Sequence, residues 1–242
     1  MPEETDGPTA RTGPVLGIYA HPDDAEISAG GTMAKWVAAG RDVHLLVLTN
    51  GDRGSNDRSR DRAELASTRL RETEAAAEVL GLASVRSLGI PDGELANTQD
   101  VREAVIRRIR EVRAETVVSV DPTAWFFENR YYNHSDHRTA GEIALDAVFP
   151  GAGNPHYFSE HLEEGLDVSE VHDIWLGWTN ESNHIEDVSG YFETKIAAFA
   201  KHESQLTEGI AFFEEFLAKE AVELGEKIGA SHAEDFRVLD LS

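Results

Sequence analysis

Short apolar runs alternate with amphipathic stretches along the first half of the chain. The runs at residues 15–20, 43–49 and 116–120 are almost entirely apolar, which is typical of buried strands, and residues 85–88 predict a shorter strand. Between them, apolar residues recur every three or four positions. This spacing predicts a helix that ends near Gly40 and helices over residues 60–80 and 98–113. The alternation predicts an α/β fold with a mainly parallel, Rossmann-like sheet and helices on both faces.

The pattern becomes less regular after Pro150. A helix is predicted just before this point, at residues 139–148; after it, residues 171–178 predict a strand and helical spacing returns at residues 190–203 and 208–226. The aromatic segment 125–132 and the rest of 150–185 match no element and are expected to shape the rim of a pocket. We therefore predict a flexible acidic arm at 1–13, a single domain with a C-terminal elaboration at 14–228, and a tail at 229–242.

The loops that follow the predicted strands carry the polar residues of interest. In an open parallel sheet, these loops lie along one edge, where ligands bind. His21-Pro22-Asp23-Asp24 follows the first strand directly and offers an imidazole and two carboxylates within four residues. His134-Ser135-Asp136-His137 follows a later strand, and its two histidines face one point if a helical turn begins there. The two motifs together predict a metal site at this edge.

Composition narrows the classes of function. The 242 residues include no cysteine, so a metal must be held by nitrogen and oxygen ligands. A net charge of −23 repels nucleic acid and anionic membranes, so neither is an expected partner. No apolar run is long enough for membrane insertion, and the first residues lack the features of a signal peptide, which predicts a cytoplasmic location.

The excess of acidic residues also predicts the salt concentration in which the protein works. Only five residues are lysines, and the acidic residues are spread along the whole chain. Such a composition suits a halophilic protein, because high salt screens the repulsion between like charges. An acidic enzyme from an ordinary medium is the alternative.

The motifs resemble those of the PIG-L/LmbE superfamily of zinc-dependent N-acetylglucosaminyl deacetylases. The resemblance covers roughly residues 14–148 and 191–206. Besides the two histidine motifs, four segments match: Gly30-Gly31-Thr32, Thr49-Asn50-Gly51-Asp52, the helix with Arg71-Glu72-Thr73-Glu74, and the late helix that ends in His202-Glu203-Ser204-Gln205.

The resemblance implies a role for each matching residue. His21, Asp24 and His137 would bind Zn²⁺, although Fe²⁺, Mn²⁺ or Co²⁺ also suit such ligands. Asp23 would be the general base that takes a proton from water. The remaining candidates are His134 at the oxyanion and departing amine, Asp136 as the residue that orients or charges His134, Tyr132 at the oxyanion, and Arg71, Asp92 and His202 as substrate contacts.

Simpler interpretations remain open for several of these residues. Asp23 and Asp136 are also ordinary helix-capping residues. Arg71 suits a solvated helix face, and His202 suits a packed core. The expected partner is a small N-acetylated sugar or its conjugate, and homo-oligomerisation is left open.

Other functions remain as alternatives to deacetylation. A metal-dependent phosphoesterase uses similar ligands, usually with a second metal. A non-catalytic sugar-binding module on the same fold is another alternative, although binding alone requires neither Asp23 nor His134. A dinucleotide-binding enzyme is disfavoured, because carboxylates occupy the turn where the pyrophosphate would lie.

Overall fold

The structure is a computed structural model that describes residues 11–241. Within this range the chain forms nine strands and seven α-helices. The strands are β1 (Val15–Tyr19), β2 (Val43–Thr49), β3 (Ser84–Ile90), β4 (Thr116–Val120), β5 (Phe126–Phe127), β6 (Tyr131–Tyr132), β7 (Asp173–Gly177), β8 (His184–Asp187) and β9 (Ala233–Asp240). The helices are α1 (Asp24–Ala38), α2 (Arg62–Leu80), α3 (Gln99–Val112), α4 (Ser135–Asp146), α5 (Glu160–Glu163), α6 (Phe192–Phe199) and α7 (Ile210–Glu226).

Seven of these strands form one sheet, in the order β3-β2-β1-β4-β7-β9-β8. The first five are parallel to one another, whereas β9 is antiparallel to both of its neighbours. The remaining strands, β5 and β6, form a separate antiparallel hairpin. The predicted α/β fold, a mainly parallel sheet in a single domain, is confirmed.

Alternate residues of each central strand are buried on opposite faces of the sheet. Leu16 and Ile18 of β1 pack with α3 and α4 in one core, whereas Val15 and Tyr19 pack with α1 in the other. Because successive side chains of a strand point to opposite faces, a strand covered on both sides must be apolar at every position. This requirement explains the uninterrupted apolar runs in the sequence.

The C-terminal segment differs from its prediction. The sequence sets residues 229–242 apart as a tail, but β9 lies inside the sheet between β7 and β8. Its inward-facing residues are Glu234, Phe236 and Val238, and the buried acidic residue conceals the alternation of a strand. Residues 1–10 of the predicted arm lie outside the described residues. Among residues 11–241, no helix has the length and apolar character needed to span a membrane.

Helix α1 has a kink that the sequence does not indicate. Ala29 departs from helical geometry, with φ −142° and ψ 20°. Beyond the kink, the N–H groups of Gly31 and Thr32 donate to the buried Glu234 carboxylate over 2.9 and 2.8 Å. Lys195 of α6 neutralises this carboxylate at 2.7 Å and also donates to the Ile27 carbonyl over 2.9 Å. One buried ion pair therefore forms hydrogen bonds with backbone groups on both sides of the kink.

Candidate active site

The predicted site residues gather at the carboxyl ends of the parallel strands. The chain leaves β1 towards β2 on one side, and β4 lies on the other side of β1, so the strand order reverses between β1 and β4. Crevices form at such switch points. His21 follows β1, and His134 and His137 follow β4 and the β5–β6 hairpin, so both histidine motifs border the same crevice.

His21, Asp24 and His137 point their donor atoms at one position. The His21 Nδ1 and His137 Nε2 atoms are 3.1 Å apart, and one oxygen of Asp24 lies 3.2 Å from His137 Nε2. The other Asp24 oxygen lies 3.4 Å from His21 Nδ1. Burial alone would raise the pKa of Asp24, but the neighbouring imidazoles outweigh burial and lower it well below its usual range. This trio can hold a divalent cation.

Two further carboxylates face the opposite nitrogen of His21. Its Nε2 atom lies 3.3 Å from Asp92 Oδ1 and 3.4 Å from Asp136 Oδ2. Burial alone would lower the pKa of His21, but the attraction of Asp24, Asp136 and Asp92 outweighs burial and raises it to about 12. The pocket therefore has an excess of negative charge that a cation would neutralise. Carboxylates behind a ligating histidine also orient its ring.

The structure gives Asp136 contacts with His21 as well as with His134. Its carboxylate accepts the Gly93 N–H over 2.7 Å and lies 3.4 Å from His21 Nε2. Its negative charge also lies near His134, whose Nδ1 atom accepts the backbone N–H of Asp136 over 3.1 Å. His134 is itself the N-cap of α4, because the helix begins at Ser135, earlier than the sequence predicts.

The same hydrogen bond defines the protonation of His134. Because Nδ1 accepts an N–H, a neutral ring carries its proton on Nε2. Burial lowers the pKa of His134, and the nearby His21 and His137 lower it further, while Asp136 and Asp92 oppose this shift. His134 is therefore a neutral donor through Nε2 near neutral pH.

Asp23 has a strained backbone and an arginine partner. Its φ of 95° places a non-glycine residue in the left-handed region, which is a mark of functional sites. Although Asp23 occupies the N-cap position of α1, its side chain caps no helix N–H. Instead, its Oδ2 atom lies 3.1 Å from Arg69 Nη2. Burial, aided by Asp24 and opposed by Arg69, raises the pKa of Asp23 to about 6.

Arg69 replaces Arg71 as the arginine of the site. Arg71 is exposed, and within residues 11–241 its hydrogen bonds are to its own helix, through the Ser67 carbonyl and the Thr68 hydroxyl. Arg69 is 3% exposed and lines the pocket. The sequence does contain a signal that favours Arg69 over Arg71. Arg69 lies four residues after Leu65, so both side chains lie on the buried face of α2.

The tyrosine that lines the pocket is also a neighbour of the one that the sequence predicts. Tyr132, the residue expected at the oxyanion, contacts Trp125 and Phe126 and receives a 3.2 Å hydrogen bond from Arg138. The adjacent Tyr131 lines the pocket instead. Because neighbouring residues of a strand point in opposite directions, only one of the two tyrosines can face the crevice.

His202 lies behind the pocket wall and does not line the pocket. It is fully buried, and its Nε2 atom is 3.3 Å from Glu26 Oε2. Burial alone would lower the pKa of His202, but the hydrogen bond and charge of Glu26 outweigh burial and raise it. Its placement therefore supports a role beneath the site, without the substrate contact expected from the sequence.

Asn133 is a site residue that the sequence analysis did not single out. Its Oδ1 atom lies 2.9 Å from His137 Nδ1, while its Nδ2 donates to the Ala124 carbonyl over 2.8 Å. The second bond fixes the orientation of the amide, so Oδ1 accepts from His137. The proton of His137 is then held on Nδ1, and Nε2 remains free to bind a cation.

These side chains surround a cavity of about 500 Å³. Most of the residues that line it lie in the loops after β1, β2 and β3 or at the starts of α1 and α4, while Arg69 comes from α2 and Tyr131 from β6. The lining residues are His21, Asp23, Asp24, Arg53, Gly54, Arg69, Asp92, Gly93, Tyr131, His134 and His137. Imidazoles, carboxylates and guanidinium groups thus converge on one concave site.

Comparisons with known proteins point to one family. Residues 16–148 match the family model described as PIG-L, GlcNAc-PI de-N-acetylase. The diacetylchitobiose deacetylase of Thermococcus kodakarensis is 36% identical over 224 residues, which cover 92% of this chain and 82% of that protein. A 1D-myo-inositol 2-acetamido-2-deoxy-alpha-D-glucopyranoside deacetylase of Rhodococcus erythropolis is 29% identical, with 82% of this chain and 83% of that protein covered.

A solved structure gives the same result. The N,N'-diacetylchitobiose deacetylase of Pyrococcus horikoshii, in complex with the inhibitor MPG, superposes with a TM-score of 0.87 at 32% identity. The match covers 96% of this chain and 85% of the other. The fold of this chain is thus shared with a structurally characterised deacetylase.

Proposed function

The chain belongs to the PIG-L family, and on that premise we propose that it is a metal-dependent deacetylase of an N-acetylated amino sugar or its conjugate. The observation that carries the proposal is the convergence of His21, Asp24 and His137 on one point, with Asp23 and His134 beside it. Binding alone would require neither a strained carboxylate nor a neutral imidazole donor at that point.

The donor set fits zinc. A tetrahedral ion with ligands at about 2.0–2.1 Å sets neighbouring ligand atoms about 3.3 Å apart. The Nδ1 atom of His21 lies 3.1 Å from Nε2 of His137, and Oδ1 of Asp24 lies 3.2 Å from the same Nε2 atom, close to that spacing. Nitrogen and oxygen donors also accept Fe²⁺, Mn²⁺ and Co²⁺, so metal analysis must identify the native ion. When bound, the metal would polarise the acetamide oxygen and lower the pKa of water.

The proton transfers are assigned to Asp23, and the stabilisation of the oxyanion by a hydrogen bond is assigned to His134. Asp23 accepts a proton from the water that attacks the acetamide carbon, and a pKa of about 6 lets it be ionised and still basic near neutral pH. Arg69 holds this carboxylate from behind and is a positioning residue. Asp23 then passes the proton taken from water to the departing amine nitrogen, while neutral His134 donates a hydrogen bond from Nε2 to the developing oxyanion, so that acetate and a free amine are formed.

Two other residues complete the proposed chemistry. Tyr131, which lines the pocket, would donate a hydrogen bond to the developing oxyanion. Asp92 lines the same pocket 3.3 Å from His21 Nε2, and its carboxylate would accept hydrogen bonds from hydroxyl groups of the sugar. Both proposals replace or refine the substrate contacts expected from the sequence.

The test combines metal analysis with assays of acetate release from N-acetylglucosamine, diacetylchitobiose and an N-acetylglucosaminyl conjugate. Asp23→Asn should lower kcat by roughly 10²- to 10⁴-fold while the metal content is unchanged. Arg69→Gln should lower kcat and shift the acidic limb of the pH profile, whereas Arg71→Gln, two residues away on the same helix, should match the wild type.

Three outcomes would count against the proposal. Full activity of Asp23→Asn would exclude Asp23 as the base. Two metal ions per chain with phosphate-ester cleavage would favour a phosphoesterase, and tight sugar binding without turnover would favour a binding module. The same assays at low and high salt test the proposed halophilic character, and cell fractionation tests the proposed cytoplasmic location.

A further inference from the structure

Trp178 has an unusual backbone conformation at the edge of the sheet that carries the site. It follows β7 directly, and its φ of 49° lies in the left-handed region, which bulky residues rarely adopt. Such strain persists only where the surrounding structure holds it, and it is frequent at functional sites. Asp23, the proposed base, is another non-glycine residue with a positive φ. The conformation of Trp178 therefore indicates that its side chain must point in one particular direction.

The turn that contains Trp178 is held by Asp121, the fully buried residue that follows β4. The N–H of Asp121 donates to the Gly177 carbonyl over 2.9 Å, and the Thr179 hydroxyl donates to Asp121 Oδ2 over 2.6 Å. These two bonds fix the residues on either side of Trp178. Because β4 and β7 are paired neighbours in the sheet, the strained turn is imposed by the strand next to it.

The indole of Trp178 contacts the imidazole of His137. The two ring centroids are 4.9 Å apart and the ring planes are inclined at 43°, a spacing within the range of favourable aromatic pairs. Trp178 also packs against the hydrophobic core that contains Tyr19 and Val120, so the indole is itself held in place. In the described part of the chain, Trp178 is not one of the residues that line the cavity, so it would act through His137.

The ring contact supplies a restraint that the hydrogen bond of His137 does not. Asn133, which directly follows the β5–β6 hairpin, accepts the Nδ1 proton of His137 over 2.9 Å. One hydrogen bond fixes the position of one ring atom, and the ring can still tilt about that bond. A second ring in contact with the imidazole limits this tilt, and it thereby limits the direction of the Nε2 lone pair.

We propose that Trp178 is a positioning residue for the metal site, which holds the imidazole plane of His137 so that Nε2 faces His21 and Asp24. This role rests on the proposed function, because His137 is a metal ligand only there. The Nε2 atom of His137 lies 3.1 Å from His21 Nδ1 and 3.2 Å from Asp24 Oδ1, so a tilt of the ring would change both separations. Relaxation of Trp178 to an ordinary φ would move the indole away from His137, which explains why the strained turn is kept.

The first test is a competitive titration of Zn²⁺ with a chromophoric chelator. Trp178→Ala and Trp178→Gly should bind the metal about 3- to 10-fold more weakly than the wild type, whereas Trp178→Phe, which keeps a ring, should stay within about twofold. Trp36→Ala is the matched control, since Trp36 is 6% exposed in the same hydrophobic core and its ring contacts Trp175 and Arg41. This control should melt at a lower temperature and keep the wild-type metal affinity.

Two further measurements separate the strain from the ring contact. Glycine adopts a positive φ without steric cost, so metal-free Trp178→Gly should melt about 2–4 °C above Trp178→Ala, although both bind metal equally weakly. The visible absorption of bound Co²⁺ depends on the geometry of its ligands. It should change in both of these variants and stay the same in Trp178→Phe.

The outcomes distinguish this role from the proposed function. Wild-type metal affinity in both Trp178→Ala and Trp178→Gly would overturn the role. An equal loss of affinity in Trp36→Ala would also overturn it, because the loss would then follow general stability. A wild type that binds no metal would overturn the role together with the proposed function. If the Trp178 variants bind metal more weakly but the wild type releases no acetate from any of the sugars, the role stands and the proposed deacetylase is excluded.

Discussion

Asn133 gives a test that separates metal affinity from stability within one side chain. It is 1% exposed, and its amide makes two bonds of different function. The oxygen accepts the His137 Nδ1 proton over 2.9 Å, whereas the nitrogen donates to the Ala124 carbonyl over 2.8 Å. Asn133→Ala removes both bonds, and Asn133→Asp removes only the donor.

The two bonds predict different magnitudes. Loss of a hydrogen bond to a ligating histidine typically costs about 10- to 100-fold in metal affinity, or about 1.4–2.7 kcal/mol. Loss of the bond to the buried Ala124 carbonyl leaves an unpaired acceptor and costs about 1–3 kcal/mol of folding stability. For a chain of this length, that cost lowers Tm by about 2–12 °C.

The expected pattern follows directly. Asn133→Ala should bind metal about 10- to 100-fold more weakly and melt at a lower temperature. Asn133→Asp keeps an acceptor for His137, so its metal affinity should stay within a few-fold of the wild type, but its carboxylate repels the Ala124 carbonyl and its Tm should still fall.

The assay is a competitive titration with a chromophoric chelator, combined with calorimetric melting of the metal-free protein. Asn180→Ala is the control, because Asn180 anchors the same hairpin through Phe126 without contacting His137. Equal loss of metal affinity in the Ala and Asp variants would refute the assignment of the Asn133 oxygen to His137. Unchanged affinity in both would refute it as well.

The remaining predictions concern buried charges. Glu234→Ala leaves the ammonium group of Lys195 without its carboxylate and should lower the free energy of unfolding by about 3–5 kcal/mol. This loss lowers Tm by about 6–20 °C relative to the exposed control Glu193→Ala. A fall in Tm of less than about 2 °C would contradict a stabilising role of the pair. Burial alone would raise the pKa of Glu186, but hydrogen bonds from His184 and Lys35 outweigh burial and lower it. Since the folded pKa lies below the unfolded value of about 4.3, this stabilisation is present above that pH and is lost as the pH falls further. The Tm difference between wild type and Glu186→Gln should therefore shrink below about pH 4.3, and a constant difference would contradict it.

The central strands and the edge that carries the site could be predicted from the sequence. Strands buried on both faces are mostly apolar along their whole length, so β1, β2 and β4 leave a clear signal in the sequence. Once the sheet is parallel, the position of the histidine motifs follows from topology. Side-chain direction within short irregular segments does not follow, which is why Tyr131 and Tyr132 could not be distinguished.

Arg69 and Glu234 escaped prediction for a common physical reason. Each is a charged residue on a buried stripe, at a position where the hydrophobic pattern predicts an apolar one. A buried charge is costly unless it is paired, and both partners are distant in sequence: Asp23 for Arg69, and Lys195 for Glu234. The pattern of apolar and polar residues around Arg69 or Glu234 cannot indicate a partner that is distant in the sequence.

The two pairs nevertheless act on the same short segment. Arg69 holds Asp23 at the start of α1, and the Lys195–Glu234 pair holds the backbone on both sides of the kink at Ala29. Asp24 lies between these two anchors, in the first turn of the helix. The direction of that turn, and with it the orientation of a proposed metal ligand, is therefore set by charged side chains from α2, α6 and β9. A charged residue on an apolar stripe is thus a sequence signal for the residues that position a site.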